Sequence, residues 1–231
     1  SESERPAHLA LFDEQGNTLL DQDCGIRIRG NESRSFPQKS FTLFARKRYG
    51  NSAFTSIFSN PEVTYPTMIL NNSRTLKKVF FFSLAAERDT AVQEYQPCQV
   101  FLDGEYWVMY FLMEKYSAEY LQNHYQVPAD DILLIKDSEE VQSGKAEDIA
   151  LYQEAADLLH SDLTDPDTYE TLLETIDMQS LIDWLCTNVY IANTDTRPLG
   201  GNVYTWRSTR PDGEGWNDGR WRWSLYDLDD S

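Results

Sequence analysis

The sequence predicts an α+β protein with a sheet-rich first lobe, residues 1–116, and a helix-rich second lobe, residues 117–231. Apolar and polar residues alternate with a period of two in much of the first lobe, whereas apolar residues recur every three or four positions in the second. With 231 residues, of which 41% are hydrophobic and 13% aromatic, the chain is long enough to bury a large core. We therefore expect a globular protein.

The strands predicted for the first lobe are separated by turn signals. The alternating segments are "HLALFD", "TLL", "GIRIRG", "SFTLF" and "TMIL". A helix is expected at 75–87, capped by Ser73 and packed on the sheet. Its apolar residues at helical spacing are Leu76, Val79, Phe80 and Leu84. "CQVFLDGEYWVMYFLMEK" then predicts a β-hairpin, because Asp103-Gly104 suits the two central turn positions, which both need a positive φ.

Helical spacing dominates the second lobe. The predicted helices are "SAEYLQNHY", "AEDIALYQEAADLLH", "PDTYETLLETI" and "MQSLIDWLCTNVYIAN". Asp165, followed by Pro166, and Asp177 supply capping chemistry at the last two. The apolar run "DILLIKD" predicts a short buried strand. "NVYTWRS" and "RWRWSLYDLD" predict strands on either side of the turn-rich segment "RPDGEGWNDG".

The charge balance argues against a nucleic-acid partner. The formal net charge is −18, and a strongly acidic chain is repelled by phosphate backbones. A small basic region stands out in the first quarter and consists of Arg27, Arg29, Arg34, Lys39, Arg46, Lys47 and Arg48. We expect no membrane span, because no apolar run approaches the roughly 18 residues that a membrane helix needs.

The cysteines and histidines carry no motif. Cys24, Cys98 and Cys186 lie far apart without a CxxC pair, so we expect buried free thiols rather than a disulfide framework or a thiolate metal site. The three histidines have no partner spacing, which argues against a zinc site and against a His-activated nucleophile.

Oxygen-bearing side chains gather near the end of the second lobe. A predicted helix ends near Asp195, Asn202 begins the next strand, and Asp227 and Asp229 end the strand after it. If these segments meet at one edge, their oxygens outline a site for a hard divalent cation. Phosphoryl transfer is the reaction that most needs such a set, together with a lysine that binds phosphates.

The order of these residues is that of ordinary protein kinases, but the spacing differs. Asn202 follows Asp195 by seven positions, whereas the kinase catalytic loop has about five. The HRD and DFG motifs and the glycine-rich loop are missing. By itself the pattern therefore suggests phosphoryl transfer without identifying a class of kinase.

Four motifs, in order, resemble those of the spore coat protein H (CotH) kinase-like family of atypical kinases. "GIRIRGNESRSFPQKSFTL" resembles its opening motif, "VFLDGEYWVMYFLMEK" its hairpin, "NTDTRPLGGNVYTW" its catalytic loop and "RWRWSLYDLD" its aspartate-bearing strand. The similarity extends from about Cys24 over nearly the whole chain. It implies an atypical two-lobed protein-kinase-like fold that binds ATP between the lobes, together with Mg²⁺ or Mn²⁺.

The resemblance assigns roles in the second lobe to residues that match the family motifs. Asp195 would be the catalytic aspartate, and Asn202 and Asp227 would be metal ligands. Asp229, in the same "DLD", would assist the metal.

On the nucleotide side, Lys39 would contact the ATP phosphates. Arg29 and Asn31 would shape the phosphate-side strand and loop, and Glu114 would line the adenine site. Glu87 is the only acidic candidate in the helix at 75–87 to pair with the lysine.

The resemblance also implies partners and a location. The substrate would be a serine or threonine of a coat, envelope or secreted protein, and the protein would act outside the bacterial cell, in the envelope or the spore coat. We expect a monomer that can be attached to other extracellular modules. The family continues into further helices where this chain reaches Ser231, so we expect part of the second lobe to be missing at that end.

Each proposed site residue also has a purely structural explanation. Lys39 could be a solvated residue on an amphipathic strand, and Asp195 and Asn202 could simply form turns. Asp227 could belong to an exposed acidic strand end. "DGEGWNDG" could be an ordinary hairpin loop or a weak calcium loop, because it lacks the ligand spacing of an EF-hand.

Two further alternatives concern function. The tryptophans near the end of the chain could stack on carbohydrate, although the alternation of Trp221 and Trp223 fits a packed strand face equally well. The chain could also be a catalytically inactive CotH-like structural or binding module of a bacterial surface protein.

Overall fold

The computed structural model describes residues 3–30, 32–72 and 76–228. Both sheets and helices are present, so the α+β class is confirmed at this level. The chain divides into two compact units. Unit 1 comprises Ser1–Arg74 and Gln93–Lys115, and unit 2 comprises Thr75–Val92 and Tyr116–Ser231.

Unit 1 is built on one antiparallel sheet with the strand order β1-β2-β3-β6-β8-β7. Its strands are β1 (Arg5–Phe12), β2 (Thr18–Arg29), β3 (Ser40–Phe44), β6 (Thr67–Asn72), β7 (Tyr95–Leu102) and β8 (Glu105–Glu114), and a small ribbon adds β4 (Phe54–Thr55) and β5 (Thr64–Tyr65). The sequence predicted two strands here, but β2 is continuous. Every second side chain stays buried through the polar segment that joins the two predicted strands, namely Leu20, Gln22 and Cys24.

The predicted β-hairpin is confirmed. Leu102 pairs with Glu105, and the two turn residues, Asp103 and Gly104, have φ values of 51° and 85°. β8 then runs into the core of unit 1, where Tyr110 is fully buried. The turn therefore sets the pairing of β7 with β8 next to it, and the register shifts once further along, between Val100 and Phe101.

Unit 2 combines helices with a sheet in the order β10-β9-β11-β12. Its strands are β9 (Ile132–Lys136), β10 (Glu140–Ser143), β11 (Tyr204–Ser208) and β12 (Arg222–Ser224), and its helices are α1 (Lys77–Ala85), α2 (Ala118–Tyr125), α3 (Ile149–Leu159), α4 (Pro166–Thr175) and α5 (Met178–Tyr190). The two predicted caps are confirmed, because the carboxylates of Asp165 and Asp177 accept hydrogen bonds from Thr168 N and Ser180 N. These caps fix where α4 and α5 begin.

The helix predicted at 75–87 is α1, but its buried face is not the predicted one. Leu76, Phe80 and Leu84 are exposed, whereas the buried residues are Lys78, Val79, Phe82 and Ala85. The chain after α1 is tied to unit 2, since Ala91 forms a β-bridge with Ser224, the last residue of β12. The position of α1 in the fold therefore decides which side of the helix is buried, and the spacing of its most apolar residues does not. The predicted cap, Ser73, lies outside the described residues.

Three of the four tryptophans near the end of the chain are core residues, and the fourth, Trp216, is half-buried. Trp206, Trp221 and Trp223 are each at most 1% exposed. The Trp223 indole Nε1 donates to Pro198 O at 2.8 Å and so attaches the loop before β11 to β12. Carbohydrate stacking on these three side chains is therefore ruled out, and the packed-face interpretation is confirmed.

A buried cluster of charges joins the start of α5 to β12. The Arg222 side chain, 3% exposed, donates to both carboxylate oxygens of Asp218 at 2.9 and 2.7 Å and lies 3.0 Å from Asp177 Oδ2. Its guanidinium also lies over the Trp216 ring, 4.8 Å from the centroid. Burial raises the pKa of Asp218, but hydrogen bonds from Arg222 and Arg220 outweigh it and lower that pKa to about 2.

The thiols are free, as predicted. Cys24 is buried and Cys98 half-buried, and burial raises the pKa of each to about 11. Cys186 is exposed on α5, so the expectation of burial is wrong for this residue. Among the described helices, none has both the length and the apolar character that crossing a membrane requires.

Candidate functional site

The loop after α5 holds Asp195 in a defined turn. Asn193 connects this loop to the helix, because its backbone N donates to Asn188 O at 2.9 Å and its Nδ2 to Asn188 Oδ1 at 3.0 Å. Asn193 Oδ1 in turn accepts from Asp195 N at 3.1 Å. The carboxylate of Asp195 therefore stands on an exposed loop whose backbone is anchored to the buried residue Asn188 near the end of α5.

Asp195 and Asn202 are in direct contact. Asn202 Nδ2 donates to Asp195 Oδ2 at 2.6 Å and to Asp195 O at 3.1 Å. Thr196 Oγ1 donates to Asn202 O at 2.8 Å, which closes the loop on itself. Because the NH₂ end of the Asn202 amide is held by Asp195, its Oδ1 end is the one that can serve as a metal ligand.

Two residues after β9 hold this loop from the other side, and the sequence analysis did not select them. Asp137 Oδ1 accepts from Asn202 N at 2.8 Å. Ser138 Oγ lies 2.7 Å from Tyr152 Oη and donates to Gly200 O at 3.2 Å. Asp137, Ser138 and Asn202 all have a left-handed backbone, with φ values of 54°, 63° and 55°. Such conformations are sparsely populated in non-glycine residues and gather at functional sites.

A pair of lysines lies next to this turn. Lys136 Nζ is 2.8 Å from Asp137 Oδ2; burial lowers the pKa of Lys136, but the hydrogen bond to Asp137 and further electrostatic interactions together outweigh burial, and the pKa is raised. Lys136 and Lys78 both lie beside the Tyr226 ring, with Nζ 5.9 and 5.8 Å from its centroid. Two ammonium groups therefore flank the residue that precedes Asp227.

Asp227 is not on a strand, which corrects the prediction made from "RWRWSLYDLD". β12 ends at Ser224, and Asp227 has a left-handed φ of 54°. The strand stops there because Leu225 N donates to Ala91 O at 2.9 Å instead of continuing the sheet ladder. Asp227 Oδ1 lies 3.8 Å from Lys78 Nζ. Asp229 lies outside the described residues.

The donor chemistry of these side chains fits a hard cation. Asn202 and Asp227 offer an amide oxygen and a carboxylate, the ligand types that Mg²⁺ prefers. Within 3–30, 32–72 and 76–228, no three His, Cys, Asp or Glu side chains are arranged to hold a metal ion. The predicted metal ligands are not a group of this kind, since one of them is the amide of Asn202 and another, Asp229, lies beyond residue 228.

The residues predicted for the nucleotide side lie in unit 1. Lys39 Nζ donates to Arg34 O at 2.6 Å and to Phe36 O, so the ammonium holds the turn that leads into β3. Arg29 ends β2 opposite Ser40, the residue after this lysine. Asn31 lies outside the described residues.

Glu114, predicted to line the adenine site, ends β8 and is 1% exposed. Its Oε2 accepts from Glu94 N at 2.9 Å, and its backbone carbonyl accepts from Gln93 Nε2. These contacts give the carboxylate a structural task within unit 1. Its role toward a nucleotide stays a prediction.

A weak signal for the overlooked residues exists in the sequence. In "DILLIKDS" the apolar strand β9 ends at Lys136 and is followed at once by Asp137 and Ser138. Polar residues that directly follow a buried strand are often placed at the edge of a sheet, where sites form. Lys78 gave no such signal, because its burial depends on the position of α1.

The comparison with known proteins assigns the class. A family model described as CotH kinase protein matches residues 26–231. The chain therefore belongs to the CotH kinase family, and the suspected resemblance is confirmed. A kinase-like function follows from this membership at a general level. Among curated proteins, none matches the chain.

Proposed function

We propose that the protein is an atypical, ATP-dependent kinase that transfers the γ-phosphoryl group to a serine or threonine of another protein. The observation that carries the proposal is the direct contact between Asp195 and Asn202, two residues that the family motif places in the catalytic loop. Asn202 is anchored by Asp137 after β9 and Asp195 by Asn193, which supports the fixed loop geometry that phosphoryl transfer requires.

In this proposal Asp195 orients the acceptor hydroxyl and takes up its proton. The hydroxyl oxygen forms a bond to the γ-phosphorus, the bond from that phosphorus to the bridging oxygen breaks, and ADP leaves. The contact with Asn202 Nδ2 fixes one oxygen of Asp195, and the exposure of the carboxylate leaves it accessible to a protein substrate.

Asn202, through Oδ1, and Asp227 are the residues that would hold Mg²⁺ or Mn²⁺, and Asp229 would complete the set. The metal would neutralise charge on the phosphate oxygens. Lys78, beside Asp227, is an additional cation on this side of unit 2.

The residues of unit 1 are proposed for the nucleotide. Lys39 would exchange its backbone carbonyl partners for ATP phosphate oxygens, with Arg29 and Asn31 shaping the same strand and loop. Glu114 would line the adenine site. We further propose the two-lobed kinase-like arrangement, a monomeric state, and an envelope, coat or extracellular location.

Ligand-induced stabilisation tests the nucleotide site. A ligand at 100 times its Kd stabilises the folded state by about 2.7 kcal/mol, so ATP with Mg²⁺ or Mn²⁺ should raise the melting temperature measurably. Absence of any shift would contradict the proposal and favour the inactive binding module.

A substitution separates catalysis from binding. Asp195→Asn should abolish transfer of labelled γ-phosphate, because the amide cannot take up the proton, while the ATP-induced shift in melting temperature remains. The control is Glu170→Gln on the exposed side of α4, which makes the same charge change and should behave like the wild type. If Asp195→Asn retains transfer, the assigned role is wrong.

The acidic chain also suggests a substrate preference. With a formal net charge of −18, the protein should attract a positively charged acceptor protein at low ionic strength. Equal rates of phosphorylation of basic and acidic model proteins would remove this part of the proposal.

A further inference from the structure

Asp137 bonds the loop that carries the proposed catalytic residues through its carboxylate. Its side chain is 34% exposed, and Oδ1 accepts the backbone N–H of Asn202 at 2.8 Å. Its own backbone N donates to Val203 O at 2.9 Å. The antiparallel register that pairs Lys136 with Tyr204 brings the end of β9 beside the start of β11 and makes both contacts possible.

The second carboxylate oxygen of Asp137 is held as well. Lys136 Nζ lies 2.8 Å from Oδ2. One carboxylate oxygen therefore contacts an ammonium group, and the other accepts the backbone N–H of Asn202. A carboxylate fixed at both oxygens has little freedom to rotate, and charge-assisted hydrogen bonds of this kind are stronger than neutral ones. Ser138, the next residue, adds a contact to Gly200 O.

We infer that Asp137 is a positioning residue. It holds the backbone of Asn202 in the left-handed conformation, so that the side-chain amide of Asn202 faces Asp195 and a metal. This inference rests on the proposed function of Asn202 as a ligand. The left-handed φ of 55° is unfavourable for a non-glycine residue and persists only where neighbouring contacts enforce it. The carboxylate of Asp137 accepts the backbone N–H of Asn202, while the Thr196 hydroxyl bonds the backbone carbonyl.

Replacement by glycine tests the inference sharply. Asp137→Gly removes the carboxylate but accepts the positive φ of 54° without strain. Asp103→Gly is the matched control, because it makes the same exchange at a φ of 51° in the exposed turn of the β7–β8 hairpin. Asp137→Asn is the conservative variant, since its amide oxygen can still accept from Asn202 N.

Two quantities should be measured on the whole chain: the hydrogen-exchange rate of the Asn202 amide without ligand, and the affinity for Mn²⁺–ATP. In Asp137→Gly we expect the Asn202 amide to exchange about five- to tenfold faster, as for one lost hydrogen bond. The affinity for Mn²⁺–ATP should fall by about tenfold or more. Asp137→Asn should restore most of the amide protection, and Asp103→Gly should leave both quantities within about twofold of the wild type.

The two measurements separate this inference from the proposed function. Unchanged protection of Asn202 in Asp137→Gly would overturn the inference, and so would lost protection with unchanged Mn²⁺–ATP affinity, because the contact would then be only structural. If the wild type itself binds no Mn²⁺–ATP, the proposed function fails, and the exchange rates alone decide whether Asp137 orients Asn202.

Discussion

Replacement of Arg222 by methionine should destabilise the protein strongly at neutral pH. The guanidinium is 3% exposed and contacts both oxygens of Asp218, one of Asp177 and the carbonyl of Trp216. The two carboxylates, 15% and 12% exposed, would be left close together with only Arg220, which lies 2.7 Å from Asp218 and 3.7 Å from Asp177. Removal of one partner from a buried ion cluster costs about 3–5 kcal/mol, which is a large share of the roughly 5–15 kcal/mol that stabilises a typical domain.

The pH dependence of stability gives a second estimate of how much the ion cluster around Asp218 stabilises the fold. The pKa of Asp218 falls from its ordinary value of 3.8 to about 2 on folding. At about 1.36 kcal/mol for each pKa unit this corresponds to roughly 2 kcal/mol, and to about 1–2 kcal/mol after solvent screening. Because the folded pKa is the lower one, this stabilisation is complete above pH 3.8 and is lost as the pH falls toward 2.

Urea denaturation followed by tryptophan fluorescence, at pH 7 and at pH 3, measures both effects. Arg222→Met should lose about 3–5 kcal/mol of unfolding free energy at pH 7, and the gap to the wild type should narrow at pH 3. Arg88→Met, at an exposed position after α1, is the control and should stay within about 0.5 kcal/mol. A loss below about 1 kcal/mol at pH 7, or a gap that does not narrow, would refute the reasoning.

Three other changes test separate features. Tyr116→Phe should cost about 1–3 kcal/mol, measured by urea denaturation, because the buried hydroxyl lies 2.8 Å from the carbonyl oxygens of Ala91 and Leu225; the Leu225 oxygen would lose this donor, whereas the Ala91 oxygen would keep its bond from Leu225 N. One thiol per chain, that of Cys186, should react rapidly with a disulfide reagent at pH 8, since the other two are shielded and their pKa is raised to about 11; rapid reaction of all three in the folded state would contradict this. Gly144→Ala should cost about 2 kcal/mol or more, because φ is +95° and the added Cβ would lie 2.9 Å from a leucine methyl of β9; an unchanged melting temperature would show that the turn relaxes.

The sequence predicted those parts of the fold whose cause is local. The hairpin at Asp103-Gly104 follows from the turn positions themselves, and the starts of α4 and α5 follow from Asp165 and Asp177. The motif that contains Asp195 and Asn202 resembles that of a family, and in the structure these two side chains are in contact.

What the sequence did not predict depends on contacts between distant segments. Lys78 is buried on α1 although stronger apolar residues on the same helix are exposed. Asp137 gains its importance from the register of β9 against β11, which no local pattern reveals. Asp227 was assigned to a strand, because a run of alternating residues does not show where a sheet partner ends.

At the left-handed residues around the candidate site, a more stable protein and a functional site require different amino acids. Asn202 and Asp227 both hold a φ near 55°, a conformation that glycine accepts at lower energetic cost than other residues. A programme that selects only for heat resistance should therefore favour glycine at these positions and discard the proposed ligands in the same step. Retention of asparagine and aspartate under such selection would mean that their side chains stabilise the fold by more than the backbone conformation costs.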